Sequence, residues 1–195
     1  MTPVRKPGRP RDAAVGERVL DAALEVLKDE GFAGLTIEAI ADRAGVSKAT
    51  MYRRWDSKET LLVDAVARAV EAVEIEDTGD IRHDLTAAVR GMCSFVSDTR
   101  AGEVFPWLVG EIANGSEIGT RYAAAVIVPR RRMLGELLRA AIERGDLRED
   151  IDVATAVDMV MGPVIMRRIA GLLEGSGESW AETVVDSLLS GAHAR

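Results

Sequence analysis

Cysteine is all but missing: Cys93 is the only one in 195 residues, so no intramolecular disulfide can form. A reducing, cytoplasmic location is the expectation that follows. The two histidines, His83 and His193, lie far apart with no cysteine cluster near either, so neither a metal site nor a cofactor is expected. No run of about 18 uncharged apolar residues occurs, which argues against a membrane span, and no apolar stretch follows the basic N-terminus, which argues against a secretory signal. There is no nucleophile, histidine and acid arrangement and no phosphate-cradling glycine loop, so the pattern does not point to an enzyme. Aromatics are scarce, with three Trp, two Tyr and three Phe. What remains is an ordinary globular composition, 47% hydrophobic and 29% charged, sufficient for one or two domains with a substantial core.

The net charge of −7 is unfavourable for nucleic acid, but it is unevenly spread. The first sixty residues hold 11 Lys and Arg against 10 Asp and Glu, whereas the remainder holds 14 against 22. The early cations cluster at Arg5, Lys6, Arg9 and Arg11 and again at Lys48, Arg53, Arg54 and Lys58. Local clusters set the field that a phosphate backbone meets.

Along the chain the apolar periodicity is helical throughout, which predicts an all-α fold of about nine helices. Residues 1–11, with prolines at 3, 7 and 10, are expected to form no helix. They are either a solvated tail or a basic arm that carries Arg9 and Arg11 toward a minor groove. A first helix is expected over about 12–30, stopped by Gly31. A long helix is expected from Asp56 to about Glu76, with Asp56 and Glu59 at capping-box spacing. The Asp77–Asp80 run marks a domain boundary. Further helices are expected at about 81–97, 102–113, 117–144 with a kink at Pro129, 153–171 and 178–190. The last two are apolar on more than one face, which asks for burial on two sides, within the domain or against a symmetry mate.

Residues 36–58 are the most informative stretch. Ile37, Ile40, Ala41 and Ala44 give a short amphipathic helix, Gly45 ends it, and Ser47 caps the helix that follows. That second helix has little to bury beyond Met51 and Trp55, yet it carries Ser47, Lys48, Ala49, Thr50, Tyr52 and Arg53. This is the helix-turn-helix layout, whose second helix enters the DNA major groove. On this basis Thr36, Tyr52 and Lys58 are assigned to phosphate, and Ser47, Lys48, Ala49, Thr50 and Arg53 to base edges or adjacent phosphates. Trp55 is expected to be a core anchor.

The run Leu35-Thr36-Ile37 through Ala41, then Ala44-Gly45-Val46-Ser47, Thr50-Met51-Tyr52, Trp55 and Ser57-Lys58-Glu59, resembles the N-terminal signature of the tetracycline-repressor-like (TetR) family of transcription regulators. The resemblance implies a homodimeric repressor that binds a palindromic double-stranded operator and is released by a small, largely apolar effector, with no membrane partner. It implies a flexible arm at 1–11, a DNA-binding domain at 12–55, a connecting helix at 56–77 and a ligand-binding and dimerisation domain at 78–195. An inducer pocket is expected among the middle helices, near Met92, Phe95, Phe105, Trp107, Tyr122, Met159 and Met166. The family's four-helix dimer interface is expected to use Val157, Val160, Met161, Val164, Trp180, Val184 and Leu188. A helical enzyme or ligand carrier, or an architectural DNA-binding protein that reads no sequence, are the alternative functions.

Overall fold

In a computed structural model that describes residues 10–71, 73, 75–173 and 178–192, the described elements are all helical. The chain divides after Arg68 into two compact units.

The first unit begins with α1 (Pro10–Gly34), whose Val19, Ala23, Val26 and Leu27 are fully buried. The helix opens on Pro10 instead of Asp12, because proline is tolerated where the first amides need no intrahelical partner. Gly31, at φ 71°, interrupts it where the sequence places the stop. Two short helices follow, α2 (Ile37–Ala44) and α3 (Lys48–Tyr52), and then α4 (Lys58–Glu71). Leu35, Ile40, Met51 and Leu61 are buried completely and form the common core of these helices. Trp55 is also buried, and its indole N–H donates to Asp64 of α4 at 2.9 Å.

The cap on α4 differs from the expected one. Ser57 and Thr60, not Asp56 and Glu59, form the reciprocal box: the Thr60 amide donates to Ser57 Oγ at 3.1 Å and the Ser57 amide to Thr60 Oγ1 at 3.3 Å. The helix starts one residue later than that spacing suggests, so the frame shifts by one. It also ends at Glu71, short of Glu76. The Val70 carbonyl is taken by the Val73 amide at 2.9 Å and by the Arg130 guanidinium, which closes the helix.

The second unit is built around α5 (Ile81–Asp98), which packs against α6 (Arg100–Glu103), α9 (Val128–Arg144), α10 (Val153–Ile169) and α11 (Glu178–Ala192). Its entry is latched by the buried Asp84, which accepts from the Thr78 amide at 3.0 Å and the Thr78 hydroxyl at 2.6 Å. The helix expected over 102–113 is split at Val104 into α6 and α7 (Phe105–Ala113). Pro106 has no N–H to give the Gly102 carbonyl, and Arg168 of α10 donates to that carbonyl at 3.3 Å.

The expected kink at Pro129 takes a definite form. Between α8 (Glu117–Tyr122) and α9 the backbone makes a π-helical turn at Ala123–Ile127. Pro129 follows it in the first turn of α9, where its missing donor is tolerated.

α10 is apolar on two faces, and the structure shows which is which. Val157, Val160, Met161 and Val164 are at most 6% exposed and fill the unit's own core, so they are not available as an outer face. The outward stripe is Met159, Met166 and Ile169, at 52, 65 and 51% exposure, and spacings of seven and three residues keep it on one side of the helix. On α11, Leu188 is likewise buried, while Trp180 and Val184 are half-buried.

Candidate nucleic-acid interface and effector cavity

The geometry of the helix-turn-helix follows from three local signals. Thr36 accepts from the Ala39 amide at 3.1 Å and caps α2, Gly45 at φ 65° ends it in the left-handed conformation, and Ser47 accepts from the Thr50 amide at 3.2 Å to start α3. Buried Met51 fixes the inward face of α3, so Ser47, Lys48, Ala49, Tyr52 and Arg53 are exposed and Thr50 is half-buried. Ser47 and Thr50 also share a hydroxyl hydrogen bond at 3.0 Å.

Lys48 does not stand unengaged. Its ammonium donates to Glu38 of α2 at 2.6 Å, and the pairing raises the lysine pKa and lowers that of the carboxylate. Both side chains are more than half exposed, so solvent screens the pair, and a phosphate or guanine edge competes readily for the lysine. Lys58, at the start of α4, places its ammonium 5.3 Å from the Phe32 ring centroid. Thr36 is exposed as well, which leaves its hydroxyl able to donate while its oxygen caps α2. Arg9 lies outside the described residues, as does the side chain of Arg11.

The second unit contains an apolar cavity whose empty space, counted out into open solvent, is about 670 Å³. Little of that space lies more than a water radius from a wall, so it is a slot and not a chamber. Of the residues expected at a pocket, Met92, Phe95, Phe105 and Tyr122 line it. Trp107, Met159 and Met166 do not: the two methionines lie on the outer face of α10, and Trp107 of α7 is half-buried away from the slot. Met161 and Val164, expected at a dimer interface, line the slot instead.

One wall is a stripe of Tyr122, Val126, Arg130 and Leu134. In an unbroken α-helix, four-residue steps advance about 400° each, so three steps drift by roughly 120° and the stripe would wrap away from the slot. The π turn absorbs one extra residue within it and removes roughly 100° of that drift. Tyr122 and Arg130 therefore share one face. Arg130 was not expected at the pocket, since in sequence it is one of three consecutive arginines; only its four-residue spacing from Val126 marks it. It is the single charged residue among the described lining. Its guanidinium donates to the Val70 carbonyl, and partial burial lowers its pKa. Burial pushes the Tyr122 phenol well above its ordinary value.

Among the described residues no group of three or more His, Cys, Asp or Glu could hold a metal ion, and no helix is long and apolar enough to cross a membrane.

Comparison with known proteins agrees with this layout. Residues 19–65 match the family described as bacterial regulatory proteins, tetR family, and residues 75–188 match the tetracyclin repressor-like C-terminal domain. An uncharacterized HTH-type transcriptional regulator of Bacillus subtilis, YdeS, is 32% identical over 163 residues, 83% of this chain and 82% of its own. The DNA-binding transcriptional repressor TetR of Mycobacteroides abscessus is 29% identical over 148 residues, 74% of this chain and 75% of its own. The crystal structure of the TetR family transcription regulator SCO0332 superposes with a TM-score of 0.80 at 36% identity, covering 91% of this chain and 97% of that one. With both parts of the chain matched, the helix-turn-helix in place and no other function favoured, the protein belongs to the TetR family of DNA-binding transcription regulators.

Proposed function

We propose that the protein represses transcription as a homodimer on a palindromic operator and leaves it when a small, largely apolar ligand fills the slot of the second unit. The observation that carries this reading is α3: a capped helix that spends Met51 on the core and turns Ser47, Lys48, Ala49, Tyr52 and Arg53 outward. One such helix contacts few base pairs, and two heads about 34 Å apart make a specific site. The relative from Mycobacteroides abscessus named as a repressor supports repression as the direction of control.

In this division of labour residues 12–55 read DNA, 56–77 connect, and 78–195 bind ligand and dimerise, with Arg9 and Arg11 of the 1–11 arm adding contacts to the backbone or minor groove. The dimer face we assign is the outward stripe of α10, Met159, Met166 and Ile169, flanked by Trp180 and Val184 of α11. Exposed apolar residues at that density ask for cover. The ligand acts only if it binds the DNA-incompetent conformation more tightly than the competent one. No catalytic role is assigned to any residue.

Footprinting on the DNA upstream of the gene tests the reading. A discrete palindromic footprint is expected; diffuse coating would indicate an architectural protein, and no protection a carrier or enzyme. Within that footprint the residues divide by role. Tyr52→Ala and Lys58→Ala are expected to weaken operator and random duplex alike, by about tenfold each, through lost phosphate contacts. Lys48→Ala should lose more on the operator than on random duplex, since a base contact discriminates. Glu38→Gln releases Lys48 and removes a negative charge near the phosphates, so it should strengthen binding to random duplex and steepen its salt dependence. Fluorescence anisotropy across a salt series measures all four, and equal losses on both duplexes for every variant would remove the division.

A further inference from the structure

We propose that the slot's ligand is a slender apolar chain ending in a carboxylate, and that this head group takes Arg130 away from the end of α4. The inference rests on the proposed ligand-release function and names the chemical class and the first contact broken.

Three features point to this class. The slot is narrow and almost wholly apolar, which suits an extended alkyl chain. Its single charged lining residue among those described is a cation, Arg130, and an apolar slot with one arginine selects an anionic head over a neutral or cationic one. The Tyr122 phenol lies on the same wall, brought into phase by the π turn. A carboxylate accepts from both, with two oxygens for a guanidinium fork and a spare lone pair for a phenol.

The same geometry gives the coupling. The Arg130 guanidinium donates to the Val70 carbonyl in the last turn of α4. A carboxylate is the stronger acceptor, because it adds a full negative charge and a second oxygen for the guanidinium fork, which a neutral carbonyl lacks. When it claims the guanidinium, Val70 loses that donor, and the final turn of α4 loses a restraint. That helix runs unbroken back to Lys58, which the proposed function places on DNA phosphate.

Isothermal titration of the full chain with decanoate, methyl decanoate and decylamine, all below micellar concentrations, tests the class. Decanoate is expected to bind about tenfold or more tightly than the methyl ester, and decylamine more weakly than either. Arg130→Met should erase the preference for acid over ester while leaving the ester's affinity within about twofold, and Tyr122→Phe should lower decanoate affinity about fivefold. Acid and ester binding alike to the wild-type protein, or none of the three binding, would overturn the proposal even if neither variant folded. Hydrogen exchange tests the coupling: amides in the last turn of α4 should exchange several-fold faster with decanoate bound, and unchanged exchange at saturating decanoate would overturn it. The operator footprint uses no ligand, so these tests and the proposed function fail separately: a footprint without decanoate binding removes only the ligand class, and decanoate binding without a footprint removes only the regulator.

Discussion

Gly119→Ala lowers the stability of the protein by about 3 kcal/mol or more, while Gly110→Ala, one helix earlier, raises it by up to about 1 kcal/mol. α7 and α8 form a helical hairpin closed by Gly115 at φ 65° and by Ser116, whose Oγ accepts from the Gly119 amide at 3.0 Å. The hairpin is tight enough that a Cβ on Gly119 would stand inside 3.0 Å of the Glu111 carbonyl and the Ile112 nitrogen. These are backbone atoms, so no rotamer change relieves the overlap; the two helices must separate, and Tyr122, one turn further on, moves with α8. At Gly110 an added Cβ meets nothing within 4 Å, leaving only the gain in helix propensity. Urea denaturation of the two variants measures both effects. A loss at both positions, or at neither, would mean that the hairpin crossing is not as close as described.

The parts of this fold that were legible in the sequence are those set by signals within a few residues. Thr36, Gly45 and Ser47 fix the two helices of the reading head by capping alone, and each acts as its residue type suggests. Capping fixes less when two frames overlap: Asp56 with Glu59 and Ser57 with Thr60 have identical spacing, and the helix start selects the second. The π turn has no local signature, since Ala123–Ile127 reads as ordinary helix and only Pro129 downstream indicates an irregularity. That one inserted residue decides which side chains share a wall, so Arg130 was not recognisable as a cavity residue. Periodicity also cannot say which of two apolar faces points inward. Val157, Val160 and Val164 suit an interface by sequence, and Met159 and Met166 a pocket, but the packing of α10 on α5, α9 and α11 buries the first set in the unit's own core and turns the second outward.

That reversal leads to the largest effect expected on DNA binding. Met166→Glu should leave the single chain as stable as before, because Met166 is 65% exposed and a carboxylate there stays in water. In the proposed dimer the same carboxylate would be buried against its symmetry copy, without a partner, beside Met159 and Ile169. The protein should then sediment as a monomer at micromolar concentration. Operator affinity should fall by a hundredfold or more, toward that for random duplex, since specific binding exceeds non-specific by about 10³ to 10⁷ and one head alone holds little of that margin. Val160→Glu separates this from misfolding: Val160 is fully buried in the chain's own core, so a charge there should unfold the second unit and abolish cooperative melting. Met166→Glu must therefore melt like the wild-type monomer yet lose the operator. A Met166→Glu protein that stays dimeric with full operator affinity would place the symmetry mate on another face.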